Sequence, residues 1–339
     1  MRDQTSTGMA IVLALCVARG AAAGTKKTCS ATASSALDAC RRSAQSDFEL
    51  ADGRCKNSSD KAATKACLSD AKATLADDLD SCKEQRAARK DVCSALGEAP
   101  YAPAFDPNDF DTNFASLTHP NPLFPIGIGD TWTYQSGTEE DVVTITSKTK
   151  LISGVTCLVS HDRVTDDGKP VEETNDWFAQ AKDGAAWYCG EETAQFETFP
   201  GDNPPEAELV GIEGAFKAGR DGALPGILML ASPTVGAVYR QEFALNDAED
   251  LSEVLSTTYS FGQDPALDDH VPQALAELLC SGGNCLVTRE FSPLEPDGDE
   301  RKYYAPGIGD FLEIEVGTGV VTQLVDCNMD PLCDMLPQP

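Results

Sequence analysis

The chain has 339 residues, with 26 Lys and Arg against 55 Asp and Glu, 13 Cys and only 3 His. A net charge of −29 excludes nucleic acid or an anionic membrane surface as the expected partner, since both are held by positive charge. Three histidines and no Cys-x-x-Cys-His string exclude a multi-haem carrier, and no run of eighteen apolar residues offers a membrane-spanning helix.

The first 23 residues have the pattern of an export signal: Arg2, an apolar stretch from Met9 to Val17, and the small residues Ala21-Ala22-Ala23. Cleavage there leaves Gly24 first and places the mature protein outside the cytoplasm, in the periplasm or secreted. Loss of Cys16 with the signal leaves twelve cysteines, an even number that suits disulfides in an oxidising compartment.

Residues 24–98 read as an antiparallel helical hairpin. Cys29, Cys40, Cys55, Cys67, Cys82 and Cys93 follow at intervals of 11, 15, 12, 15 and 11, a palindrome about residue 61. On a helix, each set of three falls within an arc of about 80°, so a chain folded back at Asn57-Ser58-Ser59-Asp60 sets them opposite one another. The expected bridges are Cys29–Cys93, Cys40–Cys82 and Cys55–Cys67. Bonding along one helix is excluded, because eleven residues span about 16 Å and a disulfide needs Cα atoms within about 7 Å. Ala33, Ala36, Leu37 and Ala44 share the bridged face and let the helices approach closely. No Cys-x-x-Cys pair supports a zinc site instead. The charge is balanced here, with 13 basic and 12 acidic residues between 24 and 100, so a spacer, cap or contact module is expected. Ser59 or Asp60 is available to cap the second helix.

Residues 99–125 read as a proline-rich linker. Within it, Asp106, Asp109 and Asp111, with Asn108 and Asn113, are the local candidate for calcium, which prefers hard oxygen ligands. The string lacks the glycine and distal glutamate of a helix-loop-helix calcium loop, and Asx turns account for it equally well. No other cofactor is implied.

Residues 126–339 form the acidic part: beyond residue 100 there are 11 basic and 42 acidic residues. Strand runs are expected at 130–134, 141–150, 155–164, 171–181, 185–189, 238–243, 257–261, 285–291, 311–316 and 320–326. Asp166-Asp167-Gly168 and Asp183-Gly184 mark hairpin turns. Many short strands joined by hairpins point to an antiparallel barrel or a strongly curved sheet. Two short helices are expected, at Ala248–Leu255, capped by Asn246 or Asp247, and at Pro272–Leu279. The whole is therefore expected to be α+β: a disulfide-stapled hairpin followed by a β-barrel-like or curved-sheet domain. Cys280–Cys285 and Cys327–Cys333 are the expected local bridges. Regular strand pairing would set Cys157 and Cys189 two strands apart, about 9.6 Å, too far to bond.

Several strings resemble a group of exported bacterial β-rich proteins. They are Asn121-Pro122-Leu123-Phe124-Pro125-Ile126-Gly127-Ile128-Gly129-Asp130-Thr131-Trp132-Thr133-Tyr134, Asp176-Trp177-Phe178-Ala179-Gln180, Glu213-Gly214-Ala215-Phe216-Lys217-Ala218-Gly219, Asp221-Gly222-Ala223-Leu224-Pro225-Gly226, Ala248-Glu249-Asp250, and Lys302-Tyr303-Tyr304-Ala305-Pro306-Gly307-Ile308-Gly309. The resemblance implies a β-rich fold and export only, and assigns no activity either way.

Chemistry is sparsely signalled. No Gly-x-Ser-x-Gly elbow is present, and His119, His161 and His270 lie in unrelated contexts. His161 points to the opposite strand face from Asp162. Glu173 and Asp176 flank Trp177 in the manner of a sugar-cleaving carboxylate pair, but three residues of separation put them on opposite faces of a regular strand. Asp297-Gly298-Asp299-Glu300 reads as an exposed turn. The leading expectation is a non-enzymatic exported protein that binds an extracellular ligand or protein on its curved sheet. Calcium-dependent surface or matrix binding and a carboxylate-dependent hydrolase are the alternatives.

Overall fold

The computed structural model describes residues 27–339, so the expected export signal lies outside the described residues. Helix α1 (Thr28–Lys56) and helix α2 (Lys61–Leu96) form the antiparallel hairpin. Asp60 caps α2, its carboxylate accepting from the Ala62 and Ala63 amides and satisfying donors that a helix start leaves free. At the open end, the Glu98 carboxylate accepts from the Ser30 amide and hydroxyl. Three disulfides run up the seam: Cys29–Cys93, Cys40–Cys82 and Cys55–Cys67, with Cα separations of 5.6, 5.8 and 5.5 Å. Ala33, Ala36 and Ala44 are buried there. The mainly small side chains bury little apolar area, so covalent rungs hold the helices together.

The rest of the chain is one thirteen-stranded antiparallel sheet. Its first ladder comprises β1 (Thr131–Ser136), β2 (Glu139–Ile152), β3 (Val155–Asp166), β4 (Lys169–Gln180) and β5 (Ala186–Thr198). Strands β6 (Ala207–Gly211), β7 (Gly226–Met229), β8 (Val238–Arg240) and β9 (Leu251–Tyr259) follow. After helix α3 (Gln273–Cys280) come β10 (Cys285–Phe291), β11 (Glu300–Ala305), β12 (Gly309–Glu315) and β13 (Val321–Cys327). The spatial order is β6-β5-β4-β3-β2-β1-β13-β12-β11-β10-β9-β8, with β7 paired to the first residues of β5. The Asp167-Gly168 turn between β3 and β4 has φ of 48° and 74°, the two positive values that a tight hairpin of this hand requires.

The expected barrel is not formed, because β6 and β8 are free ends of the hydrogen-bonded path. The outer edge of β5 is already divided between β6 and β7. Across the seam to β8 only an isolated bridge, Leu224 with Phe243, is made. Gly226 lies so close to the Gln241 carbonyl that a Cβ would not fit. The result is a strongly curved open sheet.

Two other expectations are corrected. The segment 248–255 is strand β9 from Leu251 onward, not a helix. Leu251 and Val254 are both buried, and Glu249 serves a distant partner instead of a helix start. Cys157 and Cys189 are bonded, with a Cα separation of 6.7 Å. The β4–β5 ladder skips Cys189, pairing Phe178 with Tyr188 and Trp177 with Gly190. Such a bulge bends its strand and breaks the regular spacing. Both cysteines pack in one cluster with Ala179, whose methyl group leaves room for the bridge. Cys280–Cys285 and Cys327–Cys333 are also bonded.

The proline-rich segment 99–125 is packed onto the sheet. Phe105 and Phe110 join Trp177 and Val159 on the convex face, Tyr101 packs on Phe243, and Phe124 meets Phe178 on the other face. A larger apolar cluster gathers Leu275 and Leu279 of α3 with Tyr303, Leu312 and Ile314.

Candidate functional site

Alternation along the strands decides what faces the concave side. On β2 these residues are Asp141, Val143 and Ile145; on β3, Leu158, Ser160 and Asp162; on β4, Asp176 and Phe178. Cross-strand partners share a face, and the register sets Val143 beside Asp162, Ile145 beside Ser160, and Ser160 beside Asp176. A carboxylate therefore recurs beside apolar neighbours on successive strands.

Of these, Val143, Ile145, Asp162, Asp176 and Phe178 line an open cavity of about 250 Å³, together with residues of β1, β5, β7 and β12. Trp132, Val143, Ile145, Phe178 and Leu228 form its apolar walls, and Asp162, Asp176, Asp310 and the hydroxyls of Tyr134 and Tyr188 are its polar groups. A wider polar groove of about 480 Å³ is lined by Glu191, Glu242, Asp250, Glu290, Glu300 and Lys302. The two are linked through Tyr188, which reaches Glu191.

The sides differ in electrical balance. On β11 and β12, the Lys302 ammonium lies 2.9 Å from Glu313, 3.5 Å from Glu290 and 3.9 Å from Glu300. Burial acts against that charge, but the three carboxylates hold the Lys302 ammonium well above its ordinary pKa. Burial likewise pushes Glu313 up, yet Lys302 and Asp310 bring it below the usual carboxylate range. Tyr304 and Gln241 donate to the Glu290 carboxylate at 3.0 and 2.9 Å.

Across the cavity, Asp141, Asp162, Asp176 and Glu191 have no ion-pair partner among the described residues. Burial raises Asp141 to about 6. Burial, reinforced by neighbouring Asp141, raises Asp162 to about 9. One proton between these two is the natural state of such a pair. The Oδ1 atoms of both are buried with no hydrogen-bond partner. Tyr188 Oη lies 2.5 Å from Asp176 and 2.6 Å from Glu191. A hydroxyl carries one proton, so a second proton on a carboxylate completes the set. Burial correspondingly pushes Asp176 far above its ordinary value and raises Glu191.

The helical hairpin reaches the groove. Arg89 of α2 pairs with buried Glu249, two residues from the β9 start, and the Gln85 amide donates to the carbonyl of Leu294, a groove residue.

Of the residues singled out in the sequence, Asp176 lines the cavity while Glu173 is on the convex face, 3.8 Å from Arg163. Those two carboxylates are not brought together. Trp177 is buried under the Lys150 ammonium, 3.4 Å from the ring centre. At 106–113 the candidate calcium oxygens are engaged locally. Asp106 accepts from the Asn108 backbone and side chain, and both oxygens of Asp111 accept from Thr118. Asp109 is exposed. No group of three or more His, Cys, Asp and Glu is arranged for a metal among the described residues. His119 bonds the Lys182 carbonyl and His161 occupies the convex face, so no histidine serves the cavity. Sequence reasoning passed over Asp141, Asp162, Glu191, Asp310, Glu313 and Lys302. The available signal was an acid two positions from an inward apolar residue, as in Asp141-x-Val143-x-Ile145.

No protein family profile, curated protein or solved structure matches the chain.

Proposed function

We propose that this chain is a non-enzymatic binding protein that takes a small ligand on the concave face of its sheet. The observation that carries the reading is the cavity of about 250 Å³, whose aromatic and aliphatic walls meet a few convergent polar groups. Binding sites commonly combine an apolar enclosure with a few orienting polar atoms. The hairpin, anchored at the groove, would act as a cap or contact module. Export with twelve bonded cysteines suits a protein that works outside the cytoplasm.

The test is a titration with 2-phenylethanol, a neutral amphiphile, followed by Trp132 emission in a variant with Trp177 and Trp187 replaced by Phe. Saturable change in the parent, lost in a folded Leu228→Trp variant that fills the cavity, supports the reading. No saturable change overturns it.

A second reading, a carboxylate-dependent hydrolase, is favoured by the proton-sharing Asp141 and Asp162 beside the cavity. It requires turnover that Asp162→Asn abolishes, and a broad hydrolase panel without turnover removes it.

A further inference from the structure

A second cavity lies apart from the concave face, where the start of α1, the end of α2 and residues 99–103 meet the end of β8. It is open and holds about 330 Å³, within the size range of small-molecule sites. Leu96, Pro100, Tyr101, Pro103 and Phe243 give it apolar walls, and among the described residues Arg240 is the one charged side chain that lines it.

Arg240 is only 8% exposed, yet it enters no ion pair among the described residues. Its Nη1 is buried with no hydrogen-bond partner. Glu249 acts on its charge from a distance, but that carboxylate is committed to Nε and Nη2 of Arg89 and to the Asn246 amide. Two buried guanidiniums thus share one carboxylate, and a positive charge is left over. The Tyr101 and Phe243 ring centres lie 5.6 and 4.8 Å from the Arg240 guanidinium carbon. Such faces attract a cation but supply no charged acceptor. Burial accordingly pulls Arg240 below its ordinary pKa. A buried charge without a counter-charge is costly, and a bound anion would offset that cost.

The chemistry of the walls selects the anion. A guanidinium is a planar fork that matches a carboxylate through two parallel bonds. One unpaired cation balances one negative charge, and apolar walls take a hydrocarbon body better than a hydrated ion. No acidic residue lines the cavity among the described residues, and the wider acidity of the sheet is screened by salt.

We infer that this cavity binds a monocarboxylate with an apolar body, an arylalkanoate or alkanoate. Its carboxylate pairs with the Arg240 guanidinium, and its hydrocarbon part packs against Leu96, Tyr101 and Phe243. The site is separate from the concave cavity and does not depend on what that cavity binds.

The experiment is calorimetric titration of the oxidised protein at pH 7.5 with 4-phenylbutyrate, 4-phenylbutanol and inorganic phosphate. The expected result is one phenylbutyrate per chain, bound at least tenfold tighter than the alcohol or phosphate. Equal affinity for the alcohol would remove the charge of Arg240 as the recognition element, and equal affinity for phosphate would remove the apolar body. Either result overturns the inference, as does the absence of saturable phenylbutyrate binding.

Arg240→Met, shown to be folded by its melting curve, is expected to weaken phenylbutyrate at least tenfold and to leave the alcohol within twofold. Unchanged phenylbutyrate affinity, or equal loss for both compounds, would count against the inference. A methyl NMR titration of the parent decides the matter without any variant. Saturable phenylbutyrate shifts are expected at Leu96 and Thr32, which line this cavity. Shifts at Val143, Ile145 and Leu228 instead would put the anion on the concave face and overturn the assignment.

Discussion

Arg89 on α2 and Glu249, just before β9, form a buried ion pair between residues 160 apart in the chain. The guanidinium Nε lies 3.0 and 2.9 Å from the two carboxylate oxygens, and Nη2 lies 2.6 Å from one of them. Nη2 also donates to Asn246. Both residues are almost wholly buried, at 4% and 1% exposure. The forked geometry makes Arg difficult to replace by Lys. This contact joins two parts of different electrical character, a charge-balanced hairpin and an acidic sheet, at the rim of the groove.

Arg89→Ala is expected to cost about 3–5 kcal/mol, because it strands the Glu249 charge in the interior. Arg89→Met combined with Glu249→Leu is expected to recover most of that loss. Denaturant unfolding of the three proteins reads the difference. Equal stability of the parent and Arg89→Ala would show that the pair does not hold the hairpin to the sheet.

Removing the inter-strand bridge by Cys157→Ala with Cys189→Ala is expected to destabilise by about 3–4 kcal/mol, the loop-closure contribution for a separation of 32 residues. Thermal melting of the oxidised proteins checks this. A shift below one degree would mean that the bulge holds the two strand positions without the bond.

Asp162 has a folded-state pKa raised to about 9, by burial and then by Asp141. The unfolded value is about 3.9, so its protonated form is favoured by folding. The associated stability is complete below pH of about 4 and is lost as pH rises towards about 9. Asp141, raised to about 6 by burial, adds to the same trend over a lower range. Melting temperature is therefore expected to rise on acidification from pH 9 to 5. Asp162→Asn is expected to raise it by several degrees at pH 8 and flatten the slope. A variant with the parent's slope would remove Asp162 as the source.

The amount of this architecture legible in the sequence follows the range of each interaction. The cysteine palindrome revealed the hairpin because its partners repeat at equal sums around one turn. The Asp167-Gly168 hairpin was legible because positive φ at consecutive positions selects residue type locally. Glu249 and Asp250 misled, since an acid pair after Asn246-Asp247 looks like a helix start, while the partner that Glu249 serves is Arg89. Cys157 and Cys189 misled because a bulge at Cys189 leaves no trace in the alternation of neighbouring residues. Closure depended on β6, β7 and β8 sharing the sheet's ends, which no local pattern records. The carboxylates of the cavity were visible individually, but their convergence depends on register across strands.

Replacing Lys302 by Met is expected to destabilise the sheet by about 3 kcal/mol at pH 7, because Glu313 and Glu290 lose their common cation. The same variant should recover part of the loss at pH 5, because burial favours the protonated form of Glu313 once Lys302 no longer opposes it. Unfolding curves at the two pH values test this. A pH-independent loss would assign Lys302 a packing role only.

The direct measurement of ligand binding on the concave face is a methyl NMR titration of the oxidised protein with 2-phenylethanol. Val143, Ile145 and Leu228 border the cavity, whereas Val210, Ile212 and Val235 are exposed elsewhere. Saturable shifts concentrated on the first three methyl groups are expected. Shifts concentrated on the exposed set, or none at saturating 2-phenylethanol, would contradict a ligand site in the curved sheet.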